Sequence, residues 1–463
     1  MTTITTEALP HSRLGLVFGH PRGLVFLAGT ELWDRISFHG MQALLVLYMV
    51  EQLLLPGHIE HIAGFGAARA TVEFATGPLS TQALATQIFG LYVGFVSLMP
   101  VFGGLLGDRL LGRVRAITLG ALLMTAGHFC MAFDKSFLLA LLLLILGAGL
   151  LRGNLVPQVG ELYPVEDRRR DTAFQVYYSM VNLGAFISPI LSGALAQSYG
   201  WHAGFAFAGF GMLLGLIIYL SGRKQLPPER ARGPQQVAAP LTHAEWRVVR
   251  FLIAMVPVNA LFWVAQSQVW NTYNLWVRDH IELRFGGWTM PVPWLQSLDG
   301  LAPFVLVPPA LLLWRWQAKR GRAPNELTKM AIGCFIFGAS TLWLAGAPLW
   351  TDAAGRTPFL WAVMFHIGSN IGWIYFAPIV IALYSRTAPK AVNATMIGVY
   401  YLSVFLGSVV SGRLGGLYEK LTASEFWILH AAIVATGGAI ILLLAPTLRR
   451  AFAAEDAKLA SAV

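Results

Sequence analysis

The chain has 463 residues, of which 56% are hydrophobic and only 12% are charged. Soluble domains contain about 45 to 50% apolar and about 25% charged residues, so this composition excludes a soluble protein. The 33 Lys and Arg residues outnumber the 23 Asp and Glu residues, which gives a net charge of +10. These cations lie in short loops between apolar runs, so we attribute them to membrane orientation and not to nucleic-acid binding.

Apolar runs separated by charged or proline-rich breaks follow one another along the whole chain. A helix needs about 20 residues to cross a hydrocarbon core of about 30 Å. We predict twelve such spans, at residues 24–54, 84–106, 115–133, 137–160, 171–197, 203–221, 247–278, 292–316, 328–347, 358–385, 391–417 and 425–446. The N-terminal residues show no cleavable-signal pattern, so the first run is expected to remain as the first span.

Basic residues are concentrated in alternate loops, for example Arg109 and Arg113 after the second predicted span. By the positive-inside rule these loops and both termini are expected on the cytoplasmic side, as an even number of spans also requires. The longest polar stretch between spans lies midway along the chain. The sequence therefore predicts a cytoplasmic tail at 1–23, a six-helix bundle at 24–221, a cytoplasmic linker at 222–245, a second six-helix bundle at 246–447 and a cytoplasmic tail at 448–463.

The sequence carries none of the residue patterns that are typical of an enzyme. Cys130 and Cys334 lie in separate apolar runs, which supports neither a disulfide framework nor a metal motif. We find no nucleophile-and-base constellation and no phosphate-cradling glycine loop. We therefore expect no enzymatic activity, no metal and no cofactor, so uphill transport would have to use an ion gradient. The alternative class is a membrane receptor that senses a peptide without transporting it, but we expect no signalling domain in the short tails and linker.

The segment GGLLGDRLLGRVRA, between the second and third spans, contains Asp108, Arg109 and Arg113. It resembles the signature loop of the major facilitator superfamily, in which two six-helix halves surround a substrate site near the bilayer midplane. Such a loop would act as a conformational latch between helices. The alternative interpretation is a basic loop that only anchors the helices.

The first span, GTELWDRISFHGMQALLVLYM, and the fifth, FQVYYSMVNLGAFISPILSG, resemble the proton-dependent oligopeptide transporter family. That family has an E-x-x-E-R-F-x-Y-Y-G motif in its first helix and an I-N-x-G motif in its fifth, and weaker similarities extend over nearly the whole chain. The resemblance implies an all-α major facilitator fold with about twelve transmembrane helices in two six-helix halves. It identifies the chain as a divergent bacterial member.

The same resemblance implies a proton-coupled symporter that imports di- or tripeptides, or peptide-like zwitterions, by alternating access. We expect the protein in the bacterial cytoplasmic membrane, in contact with the lipid bilayer. We also expect it to function as a monomer, to bind no nucleic acid and to use the proton gradient as its energy source. The alternative is a divergent member that exports or facilitates a different peptide-like or other small molecule.

Charged residues form a stripe on the first span, where Glu31, Asp34, Arg35 and Phe38 follow i, i+3, i+4 and i+7 spacing. An unpaired charge at mid-bilayer costs at least about 2.5 kcal/mol, so this stripe is expected to face a cavity and to be paired. The alternative is an interfacial anchor. The resemblance implies that Glu31 and Asp34 take part in proton coupling, and that Arg35 and Phe38 contact the substrate.

The fourth span contains a single charge, Arg152, where the family usually has a lysine. Because arginine keeps its proton at any relevant pH, Arg152 is predicted to be a fixed anion clamp and not a titrating switch. The alternative is that its side chain extends to the membrane interface.

Two family carboxylates are missing. Trp373 stands in the tenth span where the family has a glutamate, and Ser267 replaces the acid of the seventh span beside a retained Gln268. Asp299 occupies a family asparagine position in the eighth span. We hypothesise that Asp299 supplies the lost negative charge, pairs with Arg152 or a substrate ammonium, and accepts a proton. The alternative is an acid near the extracellular end of the span with a local partner.

Other side chains are candidates for substrate binding or titration. The resemblance implies that Asn182 contacts the peptide amine and that Gln268 and Trp373 shape the pocket. His39 and His366 are candidates for titration near neutral pH, because histidine is the side chain whose ordinary pKa lies closest to it. The alternative for each histidine is a hydrogen bond to a neighbouring helix.

Overall fold

The computed structural model describes residues 16–164, 166–227 and 240–461, with side chains described as far as Thr447. Its helices, in chain order, are α1 Arg22–Tyr48, α2 Phe65–Thr76, α3 Thr81–Leu106, α4 Arg113–Cys130, α5 Phe137–Glu161, α6 Arg169–Tyr199, α7 Trp201–Ser221, α8 His243–Gln268, α9 Thr272–His280, α10 Ser297–Lys319, α11 Glu326–Ala345, α12 Phe359–Thr387, α13 Asn393–Gly415 and α14 Ala423–Ser461. Two short antiparallel pairs complete the fold: β1 Leu16–Val17 with β2 His20–Pro21, and β3 Arg284–Phe285 with β4 Trp288–Thr289.

Each of the twelve predicted spans overlaps one long helix of the described residues. Ten of these helices are long and apolar enough to cross a membrane. The other two are α1, which carries the charged stripe, and α4, whose 18 residues begin with Arg113 and Arg115. Charge on these two helices lowers their mean hydropathy, so their place as spans rests on their position in the series. Residues 1–15 of the predicted tail and 228–239 of the predicted linker lie outside the described residues.

The seventh span, predicted at 247–278, is a single apolar segment from His243 to His280 that contains a short break in its helix. α8 ends at Gln268, and α9 begins only at Thr272. Backbone groups released inside a membrane helix need new partners. Gln296 supplies one, because its Nε2 donates to the carbonyl oxygen of Val269 at 2.6 Å and to Oδ1 of Asn274 at 2.6 Å. A buried side chain just before α10 therefore provides a hydrogen bond to a backbone carbonyl group within the break.

Helix ends differ from the predicted bounds where polar residues cap them. α8 starts four residues earlier than its predicted span, because Thr242 and Glu245 form a reciprocal capping box at its N-terminus. α11 likewise starts early at Glu326, with the Asn325 side chain accepting from the Thr328 amide at 3.0 Å. α14 continues to Ser461, into the residues predicted to form a tail.

The short helix α2 lies between the first two spans and was not predicted. Its 12 residues are too few to cross a bilayer, and Phe74 is 95% exposed. The Glu73 carboxylate accepts from the Leu79 amide at 3.0 Å and from Arg69 Nε at 2.9 Å. The Leu79 amide and then Arg69 lower the pKa of Glu73 below its ordinary value of 4.5. These bonds fix the turn that connects α2 to α3.

The chain forms two compact units. Unit 1 comprises residues up to Leu44 together with 99–233, and unit 2 comprises 45–98 together with the chain from Pro234 onward. The unit boundaries therefore cut α1 after Leu44 and α3 before Met99. The division into bundles at 24–221 and 246–447 stays a prediction.

Small residues allow the helices of unit 1 to pack closely. A Cβ on Gly120 of α4 would lie 2.6 Å from the backbone nitrogen of Leu151 on α5. Asn154 of α5 donates to the carbonyl oxygen of Gly103 on α3 at 2.9 Å. Such close packing is what drives membrane helices together where no hydrophobic effect operates. It fixes α5, and with it Arg152, against its neighbours.

The packing of unit 2 combines glycines with short polar side chains. On α13 the carbonyl oxygen of Gly412 accepts from Thr86 Oγ1 of α3 at 3.1 Å. Ser267 of α8 and Ser408 of α13 place their hydroxyl oxygens 3.0 Å apart. α13 is therefore held between α8 and the first part of α3.

Candidate functional site

One half of a buried charge network in unit 1 joins α1 to α6. Arg35 Nε donates to Glu31 Oε1 at 2.6 Å, one helical turn away. The Tyr177 hydroxyl of α6 donates to the other oxygen of the same carboxylate, Oε2. Glu31 is fully buried, so both of its oxygens are satisfied by charged or hydroxyl donors.

The other half joins α1 to α5. Arg152 donates from Nε to Asp34 Oδ2 at 2.9 Å and from its second terminal nitrogen to Oδ1 at 3.2 Å, which makes a bidentate pair. The Arg152 guanidinium also lies 4.2 Å from the centre of the Phe38 ring. Arg35 Nε is 3.8 Å from Asp34 Oδ2 and so links the two halves.

The network is electrically balanced, with two carboxylates and two guanidiniums. Both carboxylates have no exposed side-chain surface, whereas Arg35 is 21% exposed and Arg152 is 10% exposed. The cationic groups therefore form the accessible side of the cluster. A neutral cluster with accessible guanidiniums can receive an anion, and a proton added to either carboxylate would release an arginine from its partner.

A close approach of α6 to α1 positions Arg35. A Cβ on Gly184 would lie 2.6 Å from the Cβ of Arg35 and 3.0 Å from the Leu32 carbonyl oxygen. The Ser188 hydroxyl donates to the Ile36 carbonyl oxygen across the same interface. Only glycine at 184 permits this contact. Asn182, in the same motif, donates to the Tyr178 carbonyl oxygen of its own helix at 3.0 Å.

Two histidines lie in the same part of unit 1. His39 packs edge-on against Phe38, with ring centroids 5.0 Å apart. His128 of α4 is fully buried, and neither of its ring nitrogens has a hydrogen-bond partner among the described residues. It lies within electrostatic reach of Asp34 and Arg152. The sequence analysis did not predict a role for His128, although it is an isolated polar residue in an apolar run.

The basic loop after α3 contains an ionic link. Arg113 at the start of α4 pairs with Asp108 Oδ1 at 3.0 Å and with Glu161 Oε1 at 2.7 Å. The link joins the end of α3 to the C-terminal end of α5 through the first residue of α4. Arg109 is exposed. The sequence analysis did not predict a role for Glu161, although this residue directly follows the fourth predicted span at 137–160.

In unit 2 the structure joins α10 to α12 through three polar side chains. Asp299 Oδ1 is 2.8 Å from His366 Nδ1 and accepts from Asn370 Nδ2 at 2.7 Å. His366 is 1% exposed and Asp299 is 16% exposed. Asn370 was missed, but its position one turn after His366 on the same face was a usable signal.

The remaining predicted residues of unit 2 lie on α8 and α12. Gln268 is fully buried and donates from Nε2 to the Ser411 carbonyl oxygen at 2.9 Å, with His430 Nε2 at 3.1 Å. Trp373 is half-buried on α12, two turns after His366. Gln268 therefore holds α8 against α13 and α14 in this structure.

The hypothesised partner of Asp299 differs from the observed one. Within unit 2 Asp299 pairs with His366, and within unit 1 Arg152 pairs with Asp34. Each charge already has a partner in its own unit. In this structure the contact of Asp299 is therefore a histidine on α12, and the contact of Arg152 is a carboxylate on α1.

Long apolar helices in series, with paired charges buried among them, are typical of a multi-pass membrane protein with a functional site inside the bilayer. The family model PTR2, described as the POT family, matches residues 114–251 and 234–433. The chain belongs to this family of transporters.

Full-length relatives agree with this assignment. The peptide transporter YePEPT of Yersinia enterocolitica is 28% identical over 508 residues, covering 93% of this chain and 95% of the relative. A di-/tripeptide transporter of Lactococcus lactis subsp. cremoris is 26% identical over 494 residues, covering 92% and 95%. The uncharacterized transporter YclF of Bacillus subtilis is 27% identical over 492 residues, covering 94% and 95%.

Solved structures show the same fold. A crystal structure of peptide transporter POT in complex with sulfate superposes with a TM-score of 0.78 at 25% identity, covering 95% of this chain and 97% of the other. A mutant of that transporter in complex with alafosfalin gives the same TM-score of 0.78.

Proposed function

We propose that this protein is a proton-coupled symporter that imports di- or tripeptides, or peptide-like zwitterions, by alternating access. The observation that carries this proposal is the neutral network of unit 1, in which buried carboxylates are paired with more accessible guanidiniums. The names of the Yersinia and Lactococcus relatives support peptides as the substrate class.

Arg35 and Arg152 are the proposed binding groups for the substrate carboxylate. Arginine presents a planar fork that matches a carboxylate, and it keeps its charge at all relevant pH values. The position of Arg152 over the Phe38 ring fixes its guanidinium plane, which lowers the entropy lost when an anion binds. Phe38 and Asn182 are proposed to line the same site.

Glu31 and Asp34 are the proposed proton acceptors of this unit. If a substrate carboxylate joined the balanced cluster, the cluster itself would carry one excess negative charge, which is costly inside the membrane. A proton on Glu31 or Asp34 restores neutrality and releases Arg35 or Arg152 toward the substrate. This charge balance couples one carboxylate to one proton.

The cytoplasmic membrane of a bacterium is the proposed location, with both termini on the cytoplasmic side. The alternation of Arg-rich loops supports this orientation. We propose that the protein works as a monomer in contact with lipid, with the proton gradient as its energy source and without a cofactor. The ionic link of Asp108 and Arg113 is proposed to act as a conformational latch, with the exposed Arg109 beside it.

A second candidate function rests on the residues of unit 2. Trp373 and Ser267 replace two family carboxylates, and Gln268 is held by α13 and α14, so the substrate pocket differs from that of a general peptide transporter. These changes favour a divergent member that exports or facilitates a different small molecule.

Purified protein in liposomes, with pH and substrate gradients imposed separately, distinguishes these candidates. The symporter proposal predicts that a labelled dipeptide accumulates only when the proton gradient points inward, and that Arg152→Gln abolishes this uptake. Transport along a substrate gradient alone, with no response to the proton gradient, would support the second candidate.

A further inference from the structure

The pair Asp299 and His366 differs from the network of unit 1 in its charge balance. Asp299 has one ion-pair partner among the described residues, and that partner is a histidine. With a neutral imidazole the pair carries one negative charge, and one added proton makes it neutral. The unit 1 network is already neutral, so a proton there has to break an existing ion pair.

Asp299 and His366 each have one side-chain atom that forms no hydrogen bond among the described residues. Oδ1 of Asp299 accepts both known bonds, from His366 and Asn370, while Oδ2 accepts none of the hydrogen bonds found among the described residues. Nε2 of His366 is buried without a hydrogen-bond partner. Asp299 is the more exposed of the two side chains, and its Oδ1 lies 2.8 Å from Nδ1 of the imidazole.

The surroundings of the pair contain few other titratable groups. From α9, the fully buried Tyr273 lies edge-on to the His366 ring at 5.2 Å between centroids, and its hydroxyl also lacks a partner. From α14, His430 is bonded to the Phe426 carbonyl oxygen and to Gln268. No cationic side chain other than His366 pairs with Asp299 in the described part of the chain.

We propose that Asp299 and His366 together form a second proton-carrying site, in unit 2, which takes the place of the acids absent at Ser267 and Trp373. This proposal rests on the proposed symport function. A proton from water forms an O–H bond at Asp299 or an N–H bond at His366 when substrate is loaded, and it returns to water when substrate is released. Asn370 is a positioning residue that orients the Asp299 carboxylate.

The test measures accumulation of a labelled dipeptide in liposomes under an inward gradient of one pH unit, with K⁺ and valinomycin holding the membrane potential at zero. Each coupled proton then contributes about tenfold to the limiting accumulation ratio. Asp299→Asn keeps the Oδ1 acceptor, and His366→Gln keeps a donor. Each variant is expected to lower the accumulation ratio at least about tenfold while peptide exchange between equal internal and external pools stays within about twofold.

Matched controls are Asp134→Asn and His202→Gln. They remove another His–Asp pair, in unit 1, with Nε2 and Oδ1 3.5 Å apart. Asp134 is 16% exposed, as Asp299 is, whereas His202 is 37% exposed. Both controls should accumulate peptide as the wild type does. Thermal unfolding and size-exclusion chromatography confirm that every variant is folded.

Each outcome separates this inference from the proposed function. If the wild type shows no proton-driven accumulation, the proposed function fails. If the wild type accumulates peptide and Asp299→Asn and His366→Gln match it, the second proton site is wrong and the proposed function stands. If the folded variants lose exchange as well, the pair binds substrate and does not carry a coupling proton, which also overturns the inference.

Discussion

The arginines and carboxylates of the unit 1 network differ in accessibility, although they belong to the same ion pairs. Asp34 is completely buried, and Arg152 is its bidentate partner from a helix 118 residues further along the chain. Removing one member of a buried pair leaves the other charged and unpaired, which costs about 3 to 5 kcal/mol. Removing both avoids that penalty.

A double-mutant cycle with Asp34→Asn and Arg152→Gln should therefore be strongly non-additive. We expect the double variant to lower the free energy of unfolding by less than the sum of the two single variants, with a coupling energy of about 1 to 3 kcal/mol. Reversible unfolding in mixed detergent micelles is the measurement.

The control cycle uses Arg69→Gln and Glu73→Gln on α2. These side chains also pair, at 2.9 Å, but they are 40% and 23% exposed. Exposed ion pairs are weak, so their effects should add. Equal additivity in both cycles would show that the Asp34–Arg152 pair is not energetically coupled in the folded protein.

At the scale of residues, the sequence predicted the charged stripe of α1 but not all of its partners. Lipid disfavours unpaired charge, so Glu31 and Asp34 could each be expected to have a partner that donates hydrogen bonds. Their partners Tyr177 and Arg152 come from other helices. Likewise His366 lies 67 residues from Asp299, and only the packing of α10 on α12 brings them together.

The elements were easier to predict where the bilayer dictates their length. Every long helix coincides with an apolar run of the sequence. In lipid, a spanning segment has to form its backbone hydrogen bonds internally, and a helix does so. The break between α8 and α9 was not predictable in this way, since averaged hydropathy does not detect a short irregular turn whose bonds are supplied by Gln296. α2 was missed because its 12 residues fall below the spanning length.

Close contact between α6 and α1 gives a prediction at the scale of these elements. Gly184→Ala should push α6 away from α1, because its Cβ would lie 2.6 Å from the Cβ of Arg35. Overpacking of this kind costs about 1 to 3 kcal/mol, so we expect a lower melting temperature and weaker peptide binding in a thermal-shift titration.

Gly66→Ala on α2 is the matched control, because nothing lies within 4 Å of its added Cβ. Alanine has the higher helix propensity, so this variant should be as stable as the wild type or slightly more stable. If Gly184→Ala behaved like Gly66→Ala, the close approach of α6 would not be what positions Arg35.

For the whole molecule, the sequence predicted the family and fold, while the compact units follow different boundaries from the linker. Residues 45–98 cluster with the C-terminal part of the chain, although they precede the linker by more than a hundred positions. No local pattern marks these boundaries, because they cut through the continuous helices α1 and α3. Tertiary packing alone sets them.

Peptide entry is expected to bring protons into the vesicle, and the internal pH of proteoliposomes measures this coupling. Liposomes that enclose a pH-sensitive dye receive dipeptide from outside, with no pH gradient imposed and the membrane potential held at zero. We predict that the lumen acidifies as peptide enters, and that Arg152→Gln removes this response. Entry of labelled peptide with a constant internal pH would show that peptide transport is not coupled to protons.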